Sequence, residues 1–200
     1  FMTLAKTHIK NYMMLDMPVA EVAELVNNRL NEDNEEELFV TAFLCVLDTR
    51  TNRLTYVNAG HNKPFISRNG APFRMMDCKV DFVLGVMEEM AYREQAADFM
   101  PGDCLCLYTD GVTEAFDIDG EMFSDEGMEE ALNRHMAEAM EPEIFIEHLY
   151  DEVERFARGA DQSDDITVVY VARPGEGVCA GNDKNTRLEG EKTTWETDCR

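Results

Sequence analysis

Leu38-Phe39-Val40-Thr41-Ala42-Phe43-Leu44-Cys45-Val46-Leu47 marks the point where the chain changes from helical to strand periodicity. The run is almost continuously apolar and rich in Phe, Val and Leu, which reads as a central strand buried on both faces. Upstream of it the pattern is helical. Met2, Leu4, Ile9, Tyr12, Met13 and Met14 outline an imperfect helix over residues 2–15. Asp16 reads as the cap of a second helix, with Pro18 in its first turn. Val19, Val22, Leu25, Val26 and Leu30 carry that helix to Leu30. Residues 31–37 are a polar, acidic loop.

Downstream, residues 48–52 are a turn and residues 53–58 the returning strand of a hairpin. Residues 63–67 read as a third strand, followed by the tight turn Arg68-Asn69-Gly70-Ala71. Residues 71–90 are irregular and Met-rich and read as a loop rather than a flap over a site. Residues 91–99 alternate as a strand, Pro101-Gly102-Asp103 turns the chain, and residues 104–109 are a buried strand. Helices follow over 124–139 and 142–158. Their acidic residues lie mostly away from Met128, Leu132, Met136, Ile144, Phe145, Leu149, Val153 and Phe156. Residues 166–172 are a last strand, and 174–200, with Trp195, read as a disordered polar tail or a linker. Helices, a run of antiparallel strands, two more helices and a closing strand imply an α+β fold rather than alternating βαβ units.

The totals restrict function. Two hundred residues suffice for one domain with a substantial core. A net charge of −23 argues against nucleic acid and against anionic lipid as partners. It suits divalent cations or a basic protein, or serves solubility alone. No apolar run reaches the length of a membrane span, and no signal peptide is visible. The start at Phe1 rather than Met suggests a chain cut from a longer protein, or processed. Cys45, Cys78, Cys104, Cys106, Cys179 and Cys199 form no CxxC pair and no zinc-like spacing, so free thiols are expected. Cys104 and Cys106 share one strand face and Leu105 and Leu107 the other.

Two acidic points stand in strand-like surroundings. Asp110 ends Leu105-Cys106-Leu107-Tyr108-Thr109-Asp110-Gly111, and Asp164-Asp165 opens the stretch that continues Ile166-Thr167-Val168-Val169-Tyr170-Val171. A carboxylate buried there needs a compensating cation, and two that meet would suit a hard divalent metal. Thr109 has a hydroxyl able to orient Asp110, and Gly111 lets the chain turn at once. Read from residues alone, a metal site and structural acidic turns both remain open. Asn58-Ala59-Gly60-His61-Asn62 is either an Asx turn or a site floor, with His61 a candidate acid or ligand. Phe116-Asp117-Ile118-Asp119-Gly120-Glu121 fails as a calcium loop, because Ala115 would fall at the first ligand position; a charged hairpin turn is expected. No motif for a covalent nucleophile is present.

Five ordered blocks carry a resemblance: Phe39-Val40-Thr41-Ala42-Phe43, Leu54 to Asn62, Pro101-Gly102-Asp103, Leu107 to Ala115, and Asp164-Asp165-Ile166-Thr167. Leu84-Gly85-Val86 adds a short segment. Over residues 1–172 the chain resembles the SpoIIE-like, RsbU-like branch of the metal-dependent PPM (protein phosphatase 2C type) Ser/Thr phosphatases. The resemblance implies a four-layer α-β-β-α sandwich over residues 1–173, with 174–200 as tail. It implies a binuclear Mn²⁺ or Mg²⁺ centre between two antiparallel sheets, with Asp110 and Asp164 as metal ligands. Asn58, Gly60, His61, Thr109, Gly111 and Asp165 would line the site.

The family's first metal motif, a glycine-flanked aspartate, precedes the helix that begins this chain. The resemblance therefore implies a domain lacking its N-terminal segment. It further implies a cytoplasmic phosphatase acting on a phosphorylated STAS-type anti-anti-sigma factor, with a homodimer and a membrane-tethered parent both compatible. The alternative is a catalytically incompetent module that binds the same partner.

Overall fold

The computed structural model describes residues 1–32 and 34–175. The tail reading beyond Gly175, with Cys179, Trp195 and Cys199, lies outside the described residues. Among those described, helices α1 (Met2–Met13) and α2 (Val19–Asn31) come first. Strands β1 (Ala42–Asp48), β2 (Arg53–Ala59), β3 (Phe65–Ser67), β4 (Arg74–Met75), β5 (Gln95–Asp98) and β6 (Cys104–Tyr108) follow. The short helix α3 (Asp110–Thr113), helices α4 (Ser124–Arg134) and α5 (Pro142–Ala157), and strand β7 (Val168–Ala172) complete the described elements.

The strands form two antiparallel sheets, ordered β1-β2-β5 and β4-β3-β6-β7. Strand alternation sorts their side chains into three cores. Ala42, Leu44, Val57 and Ala59 pack on Val19, Val22, Ala23, Val26 and Leu30 of α2. Phe43, Cys45, Leu54, Tyr56, Ile66, Phe99, Leu105 and Leu107 fill the space between the sheets. Cys104, Cys106, Tyr108, Phe65 and Tyr170 pack under Met128, Leu132, Phe145, Leu149 and Val153 of α4 and α5. The result is helices, sheet, sheet, helices: the expected α+β four-layer sandwich. Each fully buried phenylalanine, such as Phe65, Phe73, Phe99 and Phe145, contributes about 2–3 kcal/mol.

Several expectations are corrected. The strand expected over 38–47 begins at Ala42 and is an edge strand; Leu38, Phe39 and Val46 are exposed, and β2 is central. Val40 instead makes a two-bond bridge with Leu84, at 2.9 Å each way. Leu25 lies on the outer face of α2. Pro18, not Asp16, is the N-cap of α2, and the Glu94 carboxylate accepts from the Val19 N–H at 2.8 Å. The capping oxygen thus comes from a distant segment, a choice local pattern cannot reveal. The first helix of the α4–α5 pair stops at Arg134 and continues as a 3₁₀ turn, Met136–Glu138.

Residues 71–90 are tied down rather than open. The buried Asn27 side chain accepts from the Gly85 N–H at 3.0 Å and donates to the Met87 carbonyl at 2.8 Å. The turn at Asp117 is the expected charged hairpin: its carboxylate accepts from the N–H groups of Asp119 and Glu121. Cys45, Cys78, Cys104 and Cys106 are free thiols. Among the described residues no helix is long and apolar enough to cross a membrane.

Candidate active site

Both acidic points emerge where the second sheet ends. β6 closes at Tyr108, Thr109 is extended, and Asp110 opens α3. The segment before β7 returns alongside. Thr109 N–H donates to the Thr167 carbonyl at 3.0 Å, and the Thr109 hydroxyl accepts from Thr167 N–H at 2.9 Å and donates to the Asp165 carbonyl at 3.0 Å. This hydroxyl therefore fastens the Asp164–Thr167 strand approach; it does not orient Asp110 as its sequence position suggested.

Gly111 allows the approach. A β-carbon there would lie 2.4 Å from the Asp165 carbonyl oxygen and 3.2 Å from that of Asp164. The absence of a side chain lets the two backbones touch, which brings two acidic points more than fifty residues apart into one place. All three carboxylates are exposed, not buried. Asp110 accepts from the Gly111 N–H at 3.0 Å, and Asp164 from the Asp165 N–H at 2.7 Å. Neither these two nor Asp165 forms an ion pair among the described residues. Water therefore stabilises these charges without a cation. Unpaired carboxylate oxygens are the donor set that hard divalent ions take.

The Asn58–His61 turn is an Asx turn and also borders the site. Asn58 is fully buried; its amide donates to the His61 carbonyl at 2.9 Å and accepts from the His61 N–H at 2.8 Å. Gly60 adopts φ +74°, and a β-carbon there would strike Val83 Cγ1 at 2.4 Å. The turn holds the His61 ring 3.4 Å from Thr41 Oγ1. Burial pushes the His61 imidazole below its ordinary value, while the charge of Asp110 acts in the opposite sense. His61 and Asp110 thus face a common region from different sheets. Beside Gly111, a groove of about 190 Å³ runs between Tyr150 of α5 and Ser163.

Asp110, Asp164 and Asp165 do not form a group of three close ligand atoms. Among the described residues that arrangement occurs at His135, Glu138 and His148, which the sequence reading missed. The i, i+3 pair His135 and Glu138 was the available signal, but His148 joins it only through the return of α5.

The profile of the family described as Stage II sporulation protein E (SpoIIE) matches residues 1–174. The chain belongs to the SpoIIE family. Protein IcfG of Synechocystis sp. is 29% identical over 143 residues, covering 71% of this chain and 22% of that protein. Phosphoserine phosphatase RsbU of Bacillus subtilis is 23% identical over 155 residues, covering 77% of this chain and 45% of RsbU. The chain thus spans less than half the length of either relative. The SiaA-PP2C domain of Pseudomonas aeruginosa superposes with a TM-score of 0.70 at 19% identity, covering 85% of this chain and 68% of that one. That likeness agrees with the helices and two antiparallel sheets described above.

Proposed function

We propose that this SpoIIE-family chain is the larger part of a metal-dependent protein Ser/Thr phosphatase domain. The observation that carries this reading is the Gly111 contact, which brings Asp110 and Asp164 together at the ends of two strands. Each would give a carboxylate oxygen to Mn²⁺ or Mg²⁺. Such ions lower the pKa of a bound water and neutralise phosphoryl oxygens, so hydrolysis needs no covalent nucleophile. The described residues supply none of the lysine or arginine ion pairs that would compete for these carboxylates. Asp165 is the weaker third donor. His61, held by Asn58 and Gly60, stands at the border of the site as a candidate proton donor.

Two carboxylates suit one hydrated ion but are too few for the two ions of a binuclear centre. The reading therefore includes a glycine-flanked aspartate upstream of Phe1 as a further ligand. It places the parent in the cytoplasm as a partner-switching phosphatase, acting on a phosphorylated STAS-type anti-anti-sigma factor; the name of RsbU, a phosphoserine phosphatase, supports the phosphoserine chemistry alone. A second reading is a binding module that docks this partner without hydrolysis.

The test uses a chain extended upstream of Phe1. Mn²⁺-dependent release of phosphate from a phosphoserine protein, abolished by Asp110→Asn and by Asp164→Asn with unchanged folding, supports the enzyme. Partner binding without turnover at any Mn²⁺ concentration establishes the module instead. Turnover unchanged in Asp110→Asn overturns the site assignment.

A further inference from the structure

The connection between α4 and α5 gathers three residues that phosphate chemistry does not use. One ligand atom from each of His135, Glu138 and His148 lies within 4.8 Å of the other two. His135 is the C-cap of α4, and Glu138 ends the 3₁₀ turn. Residues three apart eclipse in 3₁₀ geometry, so Glu138 stands on the same side as His135. The Glu138 N–H donates to the His135 carbonyl at 3.0 Å and closes that turn. His148 arrives from α5, its ring centroid 4.9 Å from that of His135.

The second nitrogen of His135 is already assigned. Its Nε2 lies 3.2 Å from a carboxylate oxygen of Glu152, one turn along α5 from His148. Glu152 is only 8% exposed and is fixed by Arg134 and Arg155. A carboxylate on the outer nitrogen is the usual way a ligating histidine is oriented and made more basic. With Nε2–H donated to Glu152, the lone pair of His135 is on Nδ1.

His148 supplies an independent sign. Its Nδ1 is buried and has no hydrogen-bond partner among the described residues. A buried polar atom left so is costly and rare in native structures. A bound cation would satisfy it.

The cluster is also held in place and separate. The Ala139 carbonyl, next to Glu138, accepts from the Tyr170 hydroxyl at 2.9 Å and from Cys104 Sγ at 3.4 Å. Cys104 begins β6 and Asp110 lies beyond its other end, so the two places are roughly 13 Å or more apart along the strand. Two imidazoles and one carboxylate, with a water in the fourth position, match zinc. They do not match the all-oxygen preference of magnesium.

We propose that His135, Glu138 and His148 bind zinc, with Glu152 positioning His135, and that the ion fastens the α4–α5 connection. The experiment is calorimetric titration of the chelator-stripped 200-residue chain with Zn²⁺, in a Cys179→Ser, Cys199→Ser background that removes the two thiols outside the described residues. One equivalent binds, Zn²⁺ raises the melting temperature, and Co²⁺ in its place gives the intense visible bands of tetrahedral coordination. His148→Ala and Glu138→Gln each weaken Zn²⁺ binding by about tenfold or more and remove the thermal shift. Asp110→Asn leaves the isotherm unchanged. Glu138 is partly exposed, so Glu138→Gln keeps the test decisive where His148→Ala fails to fold. Absence of Zn²⁺ binding, an isotherm indifferent to Glu138→Gln, or one abolished by Asp110→Asn overturns the proposal.

Discussion

Gly111 and Asp165 are in backbone contact: a β-carbon on Gly111 would sit 2.4 Å from the Asp165 carbonyl oxygen. Backbone on both sides of this contact leaves no flexible side-chain end to move away. Gly111→Ala is therefore expected to destabilise the fold by about 1–3 kcal/mol and to separate Asp110 from Asp164. Gly127, inside α4, is the control. A β-carbon there meets Phe123 at 3.4 Å, an ordinary contact, so Gly127→Ala stabilises by about 0.5–1 kcal/mol. Paired urea denaturation curves check both signs. Equal stability of Gly111→Ala and the parent would remove the basis for the site.

Gly60 carries two separable constraints, a φ of +74° and a 2.4 Å approach to Val83 Cγ1. Gly60→Ala is expected to cost about 2–4 kcal/mol, combining left-handed strain with overpacking. In Gly60→Ala, Val83→Ala the overpacking disappears and the strain remains. A double-mutant cycle from thermal melts should show favourable coupling of about 1 kcal/mol or more; strict additivity would mean that Val83 does not confine this turn.

Asp103 is 2% exposed and accepts from the Asn69 and Met100 N–H groups at 3.0 and 2.9 Å, while Arg68 pairs with it at 2.8 Å. Arg68 is substantially exposed and can turn to water, whereas the two part-buried N–H bonds are fixed by the backbone. Asp103→Ala is thus expected to cost about 2–4 kcal/mol through two backbone donors that lose their acceptor. Arg68→Ala should cost less than half of that. Denaturant midpoints of the two variants give the ranking, and the reverse order would show that the ion pair, not the N–H bonds, dominates.

Burial, aided by the charges of Asp81 and Glu24, lifts the Tyr92 phenol from 10.0 to about 12. The folded state then holds its proton more tightly than the unfolded chain. Its contribution is fully present below pH 10 and is lost as pH rises from 10 toward 12, on the order of 2–3 kcal/mol. Tyr92→Phe should flatten this alkaline limb in urea denaturation measured at stepped pH. A limb unchanged in Tyr92→Phe would assign the alkaline loss elsewhere.

Much of the fold was legible locally because strand and helix periods report burial directly. Cys104 and Cys106 opposite Leu105 and Leu107 divide between two cores as their alternation requires. Where legibility failed, the cause was nonlocal. The apolar run at Leu38–Leu47 looks central, yet its partner at Val40 is the single residue Leu84, and only the segment from Ala42 pairs with β2. Asp16 looks like a helix cap, but Glu94 reaches that N–H first. Asp110 and Asp164 looked buried because their neighbours are apolar; they lie past the strand ends, where water reaches them.

By itself, the sequence determined the α+β class and the order of helices and strands, because these follow from periodicity and residue type over short windows. Only the tertiary structure decided which distant residues share a place. The Gly111 contact joins Asp110 to Asp164–Asp165, and the return of α5 carries His148 to His135 and Glu138. Both depend on how closely two segments pack, a quantity set by excluded volume between residues far apart in the chain and written in no local pattern.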